Sequence, residues 1–175
     1  MVFRAEDLIN IIMGERPVEL GAPPGILHAP KDSLPPRIDV TLFNADTFER
    51  KTIKSAAELD QLDRRGKQLW VDVNGLGDPE VIRALGQHFG FHKLSLEDVV
   101  HIPQRPKVEY YDDHIFCVTQ LPSFEDTLDF EQISLFLGKD FVVTFQSTHE
   151  NMLLPIVARL RDSVGRIRAS GVDFL

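Results

Sequence analysis

Apolar and polar residues alternate over Arg37-Ile-Asp-Val-Thr-Leu-Phe43, which predicts a half-buried strand because successive strand side chains point to opposite faces. A second short strand is predicted near residues 49–53. Gln68 to Val73 repeats the pattern, Leu69, Val71 and Val73 alternating with Trp70 and Asp72. Between these strands, Ser55 with Glu58 three residues on has capping-box spacing and predicts a helix through about Arg64. Asp78-Pro79 opens the next helix, with Asp as N-cap and Pro in the first turn. Its apolar face is Val81, Ile82, Leu85 and Phe89, and Gly90 is placed as the C′ residue. Leu94, Leu96, Val99 and Val100 are spaced for a short helix with one apolar side, stopped by Pro103. Gln104-Arg105-Pro106 is then extended, since a residue before proline avoids the helical region.

The second half reads as strands: Lys107 to Tyr110, Ile115 to Gln120, Glu131 to Leu137 and Phe141 to Phe145. Gly138-Lys139-Asp140 joins the last two as a hairpin. From Met152 to Ala169, Leu153, Ile156, Val157, Leu160, Val164 and Ile167 recur at helical spacing. This predicts one long helix, with Arg159, Arg161, Arg166 and Arg168 on its solvated side and Pro155 in its first turn. Helices mixed with a largely contiguous set of strands predict an α/β fold of sandwich type. Ahead of it, residues 1–14 have the pattern of a short helix ended by Gly14. Residues 15–36 are dense in Pro and Gly and read as an arm, which gives a division into 1–36 and 37–175.

Bulk composition narrows the function. With 175 residues and 43% hydrophobic content, one domain has a sizeable core available. The formal charge of −8 argues against a nucleic-acid partner, which needs basic patches to neutralise phosphates. The single cysteine, Cys117, excludes an internal disulfide framework and sits in an apolar run, as a small core residue would. No apolar stretch approaches the roughly 20 residues that span a bilayer, and Glu6 and Asp7 interrupt any secretory signal, so a soluble cytoplasmic chain is expected.

Several constellations invite chemistry. Gly75-Leu76-Gly77 lies between a strand and a helix, where a dinucleotide loop would lie. Residue 80, the place of the third glycine, is Glu80, so we read a turn. His88 and His92 are four apart, as zinc ligands on one helix face are, and His101 and His114 follow. Gly90 between the first pair ends the helix, and ordinary histidines are the simpler reading. Ser134 and Ser163 lack a nucleophile-elbow context, so no enzyme is expected. Glu97 and Asp98 are adjacent on a helix and diverge by about 100°, which makes them a poor acid/base pair. Taken alone, they read as the solvated side of that helix, although one carboxylate suits a hard divalent cation. Arg105 and Lys107 with Glu109 and Asp112 are placed to brace the Pro103–Pro106 turn with salt bridges.

The block "FGFHKLSLEDV" followed by "QRPKVEYYDDHIF" resembles the soluble part of CorA-type magnesium/cobalt transporters, with Lys93 standing where that family usually has proline. "GAPPGILH" in the arm resembles a Gly-Leu-Pro-Pro-Gly-Thr-Leu motif of the same family, with Ala22 and Ile26 as departures. "EQISLFLGKDFVVTFQ" and "RLRDSVGRIRASGVDFL" extend the likeness from about Gly21 to Leu175. The resemblance implies an αβα sandwich with a mixed parallel/antiparallel sheet and helices on both faces. It implies a cytoplasmic domain, at the inner face of the cell membrane, that ends where a stalk helix begins. The membrane helices with their Gly-Met-Asn pore motif would lie beyond it, and a soluble paralogue is the alternative. It also implies regulatory divalent-cation sites between subunits of a homopentamer, with Asp98 as principal ligand and Glu97 and Asp173 contributing. Mg2+ or Co2+ is the implied ion, with no organic cofactor; the fragment itself is expected to be monomeric or weakly associated. A zinc-transporting branch and a metal-dependent enzyme built on His88, His92, His101 and His114 are the competing readings.

Overall fold

The computed structural model describes residues 27–29, 32–124, 128–150 and 152–175. The helix expected in residues 1–14 and the GAPPG motif lie outside these residues. Among the described residues seven strands form one sheet: β1 (Arg37–Phe43), β2 (Phe48–Ile53), β3 (Gln68–Asn74), β4 (Lys107–Tyr110), β5 (His114–Phe124), β6 (Leu128–Gly138) and β7 (Phe141–Gln146). Their spatial order is β2-β1-β3-β7-β6-β5-β4. All neighbours are antiparallel except β3 and β7, which run parallel in the register Val71↔Val143 and Val73↔Phe145. The mixed sheet with helices on both faces, expected from the resemblance, is therefore present.

One face carries α1 (Pro79–Phe89) and α2 (Lys93–Val100). Asp78 caps α1 as its spacing predicts, its carboxylate accepting from the Glu80 and Val81 amides. Gly90 closes the helix at φ 74°, a left-handed conformation that costs glycine little. Ile82 and Leu85 of α1 and Leu96, Val99 and Val100 of α2 are buried against Val71, Val73, Phe116, Phe136, Val143 and Phe145 of the sheet. Burying each such side chain contributes about 1.5–3 kcal/mol. Leu27, assigned to the arm, is buried in the same core. Leu94, expected on the apolar side of α2, is instead 48% exposed. Ser95 takes the inward position and is fully buried, its hydroxyl hydrogen-bonded to Tyr111 Oη.

The opposite face carries α3 (Leu154–Arg161) and the terminal turn Val172–Phe174. Leu153, Val157, Leu160, Ile167 and Val172 pack there on Phe43, Trp70, Ile133 and Val142. This second layer explains why β1 and β3 are not half-buried as the alternation suggested. Their polar positions Asp39, Thr41, Asp72 and Asn74 are buried too. Most of their polar atoms are paired; Asn74 Oδ1 accepts from Gln146 Nε2 at 3.0 Å, while Asn74 Nδ2 is buried without a partner among the described residues. Trp70 Nε1 donates to Thr144 Oγ1 at 2.9 Å, and that hydroxyl donates to Asp72 Oδ1 at 2.8 Å. Arg50 lies 3.1 Å from Asp39 and 3.6 Å from Asp72, and Thr52 Oγ1 donates to Asp39 at 2.6 Å.

Two expected helices are shorter than their patterns. Residues Ala56–Gln61 form a 3-10 helix instead of an α-helix reaching Arg64, with Glu58 Oε1 accepting from the Lys54 and Ser55 amides. The long helix expected over 152–169 ends at Arg161. Ser163 adopts φ 53°, its amide donates to Leu160 O, and the Val164 amide donates to Arg159 O. That pair of bonds is a Schellman stop, here made with serine where glycine is usual. Gly165 at φ 71° turns the chain again, which leaves Val164 52% exposed while Ile167 returns to the core. No helix among the described residues is long and apolar enough to cross a membrane.

The Gly75-Leu76-Gly77 turn has a packing reason for its glycines. A Cβ on Gly75, at φ 99°, would meet Pro35 O at 2.5 Å, and one on Gly77 would meet Ser33 O at 2.4 Å. The Gly77 amide donates to Leu34 O at 2.7 Å. Gly75→Ala is therefore expected to destabilise the protein by about 1–3 kcal/mol in urea unfolding, through backbone strain and the contact with residues 34 and 35. A surface control such as Lys51→Ala is expected to stay within about 0.5 kcal/mol of the parent.

Candidate functional site at the junction of α2 and β4

The helix that carries Glu97 and Asp98 is fixed from below by glutamines. Gln132 on β6 is buried; its Nε2 donates to Asp98 O at 3.2 Å and its Oε1 accepts from the Gln104 amide at 2.6 Å. Gln104 Nε2 donates to His101 O, and Gln120 Nε2 donates to Gln104 O. The Pro103–Pro106 turn is thus held by amide side chains. The bracing by Arg105 and Asp112 that charge pattern suggested is not how it is built: both residues are exposed, and the ion pairs run through Lys107.

Asp98 and Glu97 diverge, as adjacent helix positions must. Glu97 turns toward His101 Nδ1 at 3.6 Å. Asp98 turns toward β4, where Lys107 Nζ donates to its Oδ2 at 2.6 Å. The same ammonium donates to Glu109 Oε1 at 2.7 Å, and Tyr111 Oη donates to Glu109 Oε2 at 3.0 Å. Tyr111 also meets Ser95 Oγ at 2.7 Å, which closes a circuit back to α2. Sequence reasoning missed Ser95 and Tyr111. The signal available was the i, i+3 spacing of Ser95 and Asp98, which puts both on one side of the helix.

Charge in this circuit is strongly coupled. Burial works against the Lys107 ammonium, yet its hydrogen bonds to Asp98 and Glu109 more than offset that, and its pKa stands above the ordinary lysine value. The Lys107 hydrogen bond, aided by Tyr111, holds the Glu109 carboxyl below the ordinary glutamate range. Burial, with Glu109 nearby, pushes the Tyr111 phenol up.

Asp173 lies elsewhere. It is exposed on the turn that packs against the other sheet face and lines a groove with Asp112, Asp113, His114 and Lys139. No group of three or more His, Cys, Asp or Glu side chains is arranged to hold a metal among the described residues. Glu97, Asp98 and Asp173 supply the hard oxygen donors a magnesium-type ion takes. They do not form a complete site within one chain, and Asp98 offers an ion one carboxylate already shared with an ammonium. The four histidines do not converge either. His88 faces Asp60 at 3.4 Å, His92 Nδ1 accepts from the Leu94 amide as the cap of α2, and His101 meets Glu97. His114 Nδ1 lies 2.6 Å from Asp113 Oδ1, its ring stacked on Tyr111. Burial pushes the half-buried Cys117 thiol up, away from the thiolate form a nucleophile needs.

The Glu109 shift has a definite sign in pH. A carboxyl held below its unfolded pKa contributes stability that is fully present above the ordinary glutamate value and is lost as pH falls through the lower folded value. Wild type is expected to lose more stability than Glu109→Gln when urea unfolding is followed from about pH 6 to pH 3. Because Glu109 is more than a third exposed, solvent screening keeps the difference under about 1 kcal/mol. Equal losses would show that Lys107 does not stabilise the ionised Glu109.

Known proteins match this architecture. The family profile described as CorA-like Mg2+ transporter protein matches residues 66–171, a span that holds β3 to β7 with α1, α2 and α3 and leaves out β1, β2 and the terminal turn. The cobalt/magnesium transport protein CorA of Thermotoga maritima is 32% identical over 160 residues, covering 89% of this chain. This chain spans 45% of that protein's length. Among solved structures, a full-length CmaX protein superposes with a TM-score of 0.59 at 15% identity, over 74% of this chain and 40% of that one. The soluble domain of CorA from Methanocaldococcus jannaschii superposes with a TM-score of 0.50 at 14% identity, over 72% of this chain and 47% of that one. At such identities the two structures speak to the fold alone; the match over residues 66–171 goes further, and by it the chain belongs to the CorA-like Mg2+ transporter family.

Proposed function

We propose that this chain is the cytoplasmic cation-sensing and assembly domain of a Mg2+/Co2+ transporter, the ions being cargo as well as regulator. The observation that carries this reading is family membership across the segment that holds Asp98 on a rigid helix beside β4. Asp98 supplies one carboxylate to an ion held between neighbouring subunits, with Glu97 and Asp173 as further acidic contributors. Shared sites suit these residues because hard cations need only one or two carboxylates and keep several waters.

The mechanism is linkage. An ion bound between subunits favours the closed arrangement only by as much as its affinity for that arrangement exceeds its affinity for the open one. The bound cation supplies positive charge between acidic surfaces. Without it, facing carboxylates repel and the subunits loosen, which biases the pore toward opening. The formal charge of −8 gives such surfaces net negative charge to work with. The membrane part, the homopentamer and the transported ion belong to this proposal.

In the full-length transporter, Mg2+ is expected to slow digestion by a soluble protease. Asp98→Asn is expected to raise the half-protecting Mg2+ concentration by about tenfold or more, the equivalent of about 1.4 kcal/mol of ion binding. An unchanged midpoint in Asp98→Asn removes Asp98 from the sensor. Uptake assays with Mg2+, Co2+, Ni2+ and Zn2+ identify the cargo.

A further inference from the structure

Lys107 stands where an ion at Asp98 would have to compete with it. Its Nζ is 2.6 Å from Asp98 Oδ2 and 2.7 Å from Glu109 Oε1, and it lies over the ring of the buried Phe116 at 5.5 Å from the centroid. The ammonium therefore bridges two carboxylates on two different elements. One of them, Glu109, is fixed independently: Tyr111 Oη donates to its second oxygen, and Tyr111 is tied to Ser95 on α2. Asp98 has no equivalent anchor among the side-chain bonds of this circuit. A cation approaching Asp98 must share its carboxylate with Lys107 or send the ammonium to Glu109 alone.

We propose that Lys107 is a tethered competitor that sets the cation affinity of Asp98, with Glu109 as the position that receives the ammonium when a divalent ion takes the aspartate. This inference rests on the sensor reading above. Its chemistry is direct: two cations cannot both use Oδ2 at contact distance without strong repulsion. A retained lysine lowers the affinity of the site, so that the site responds to a high-abundance ion such as cytoplasmic Mg2+ and does not saturate at trace levels. Ser95 and Tyr111 act as positioning residues, holding Glu109 ready.

The two partners of the ammonium give opposite expectations. Lys107→Met removes the competitor, and the half-protecting Mg2+ concentration of the full-length transporter is expected to fall about three- to tenfold. Glu109→Gln keeps the Tyr111 hydrogen bond but removes the alternative place for the ammonium, and the midpoint is expected to rise by a similar factor. Glu109→Gln stands on its own if Lys107→Met does not fold. Both series are run in about 1 M salt as well as dilute buffer. There the screening length is about 3 Å, so a contact effect persists while a through-space one fades. Opposite shifts that persist in salt support the competitor role. An unchanged or raised midpoint in Lys107→Met, a lowered one in Glu109→Gln, or shifts that vanish in salt overturn it, while the sensor reading stands as long as Asp98→Asn weakens protection. If Asp98→Asn leaves protection unchanged, the sensor reading falls, and this inference falls with it.

Discussion

The parallel pairing of β3 with β7 sets the route of the whole sheet. It joins an antiparallel unit of three strands to an antiparallel unit of four, and parallel neighbours cannot be linked by a tight turn. The chain between them must cross over, and that crossover contains α1, α2 and the β4–β5–β6 meander. The position of Asp98 follows from this route. The join is secured on one face by Val71, Val73, Val143 and Phe145 and on the other by the Trp70–Thr144–Asp72 hydrogen bonds. Polar side chains at the centre of a sheet are costly unless every one is paired. Here they tie β3 to β7 in a single register, since a slip of one residue would put Thr144 on the wrong face.

The same route brings α2 over the start of β4 and so places an ammonium between two carboxylates. Burial works against the Lys107 ammonium, but its hydrogen bonds to Asp98 and then Glu109 raise its pKa, and the Lys107 bond in turn lowers that of Glu109. Such a cluster is a poor source of net stability, because exposed pairs contribute little. In the proposed sensor it would answer to a second cation. Gln132 bonds both Asp98 O and the Gln104 amide beneath it, so an exchange of cations at Asp98 would reach the partners on β4.

Much of the fold was legible in the sequence. The Asp78-Pro79 start and Gly90 stop of α1 appear as their chemistry requires, and β1, β3 and β7 are strands where the sequence places them. The pattern could not show that a second layer covers the polar alternates of β1 and β3, because burial of Asp39 and Asp72 depends on distant partners such as Arg50 and Thr144. The end of α3 was hidden for a different reason. Apolar spacing continues through Val164 and Ile167, while the stop lies in the backbone of Ser163, a residue without the usual glycine signature. At the site, the divergence of Glu97 and Asp98 was readable from helix geometry. The capture of Asp98 by Lys107 was not, because it depends on how β4 is hung beside α2, nine residues further along.

In cobalt-soaked crystals of the full-length protein, anomalous scattering locates the ion and the map locates Lys107. The prediction is a cobalt peak at coordination distance from the Asp98 carboxylate, about 2.1 Å, between neighbouring subunits, with Lys107 Nζ moved onto Glu109. Cobalt bound elsewhere, with Lys107 still seated on Asp98, would contradict it.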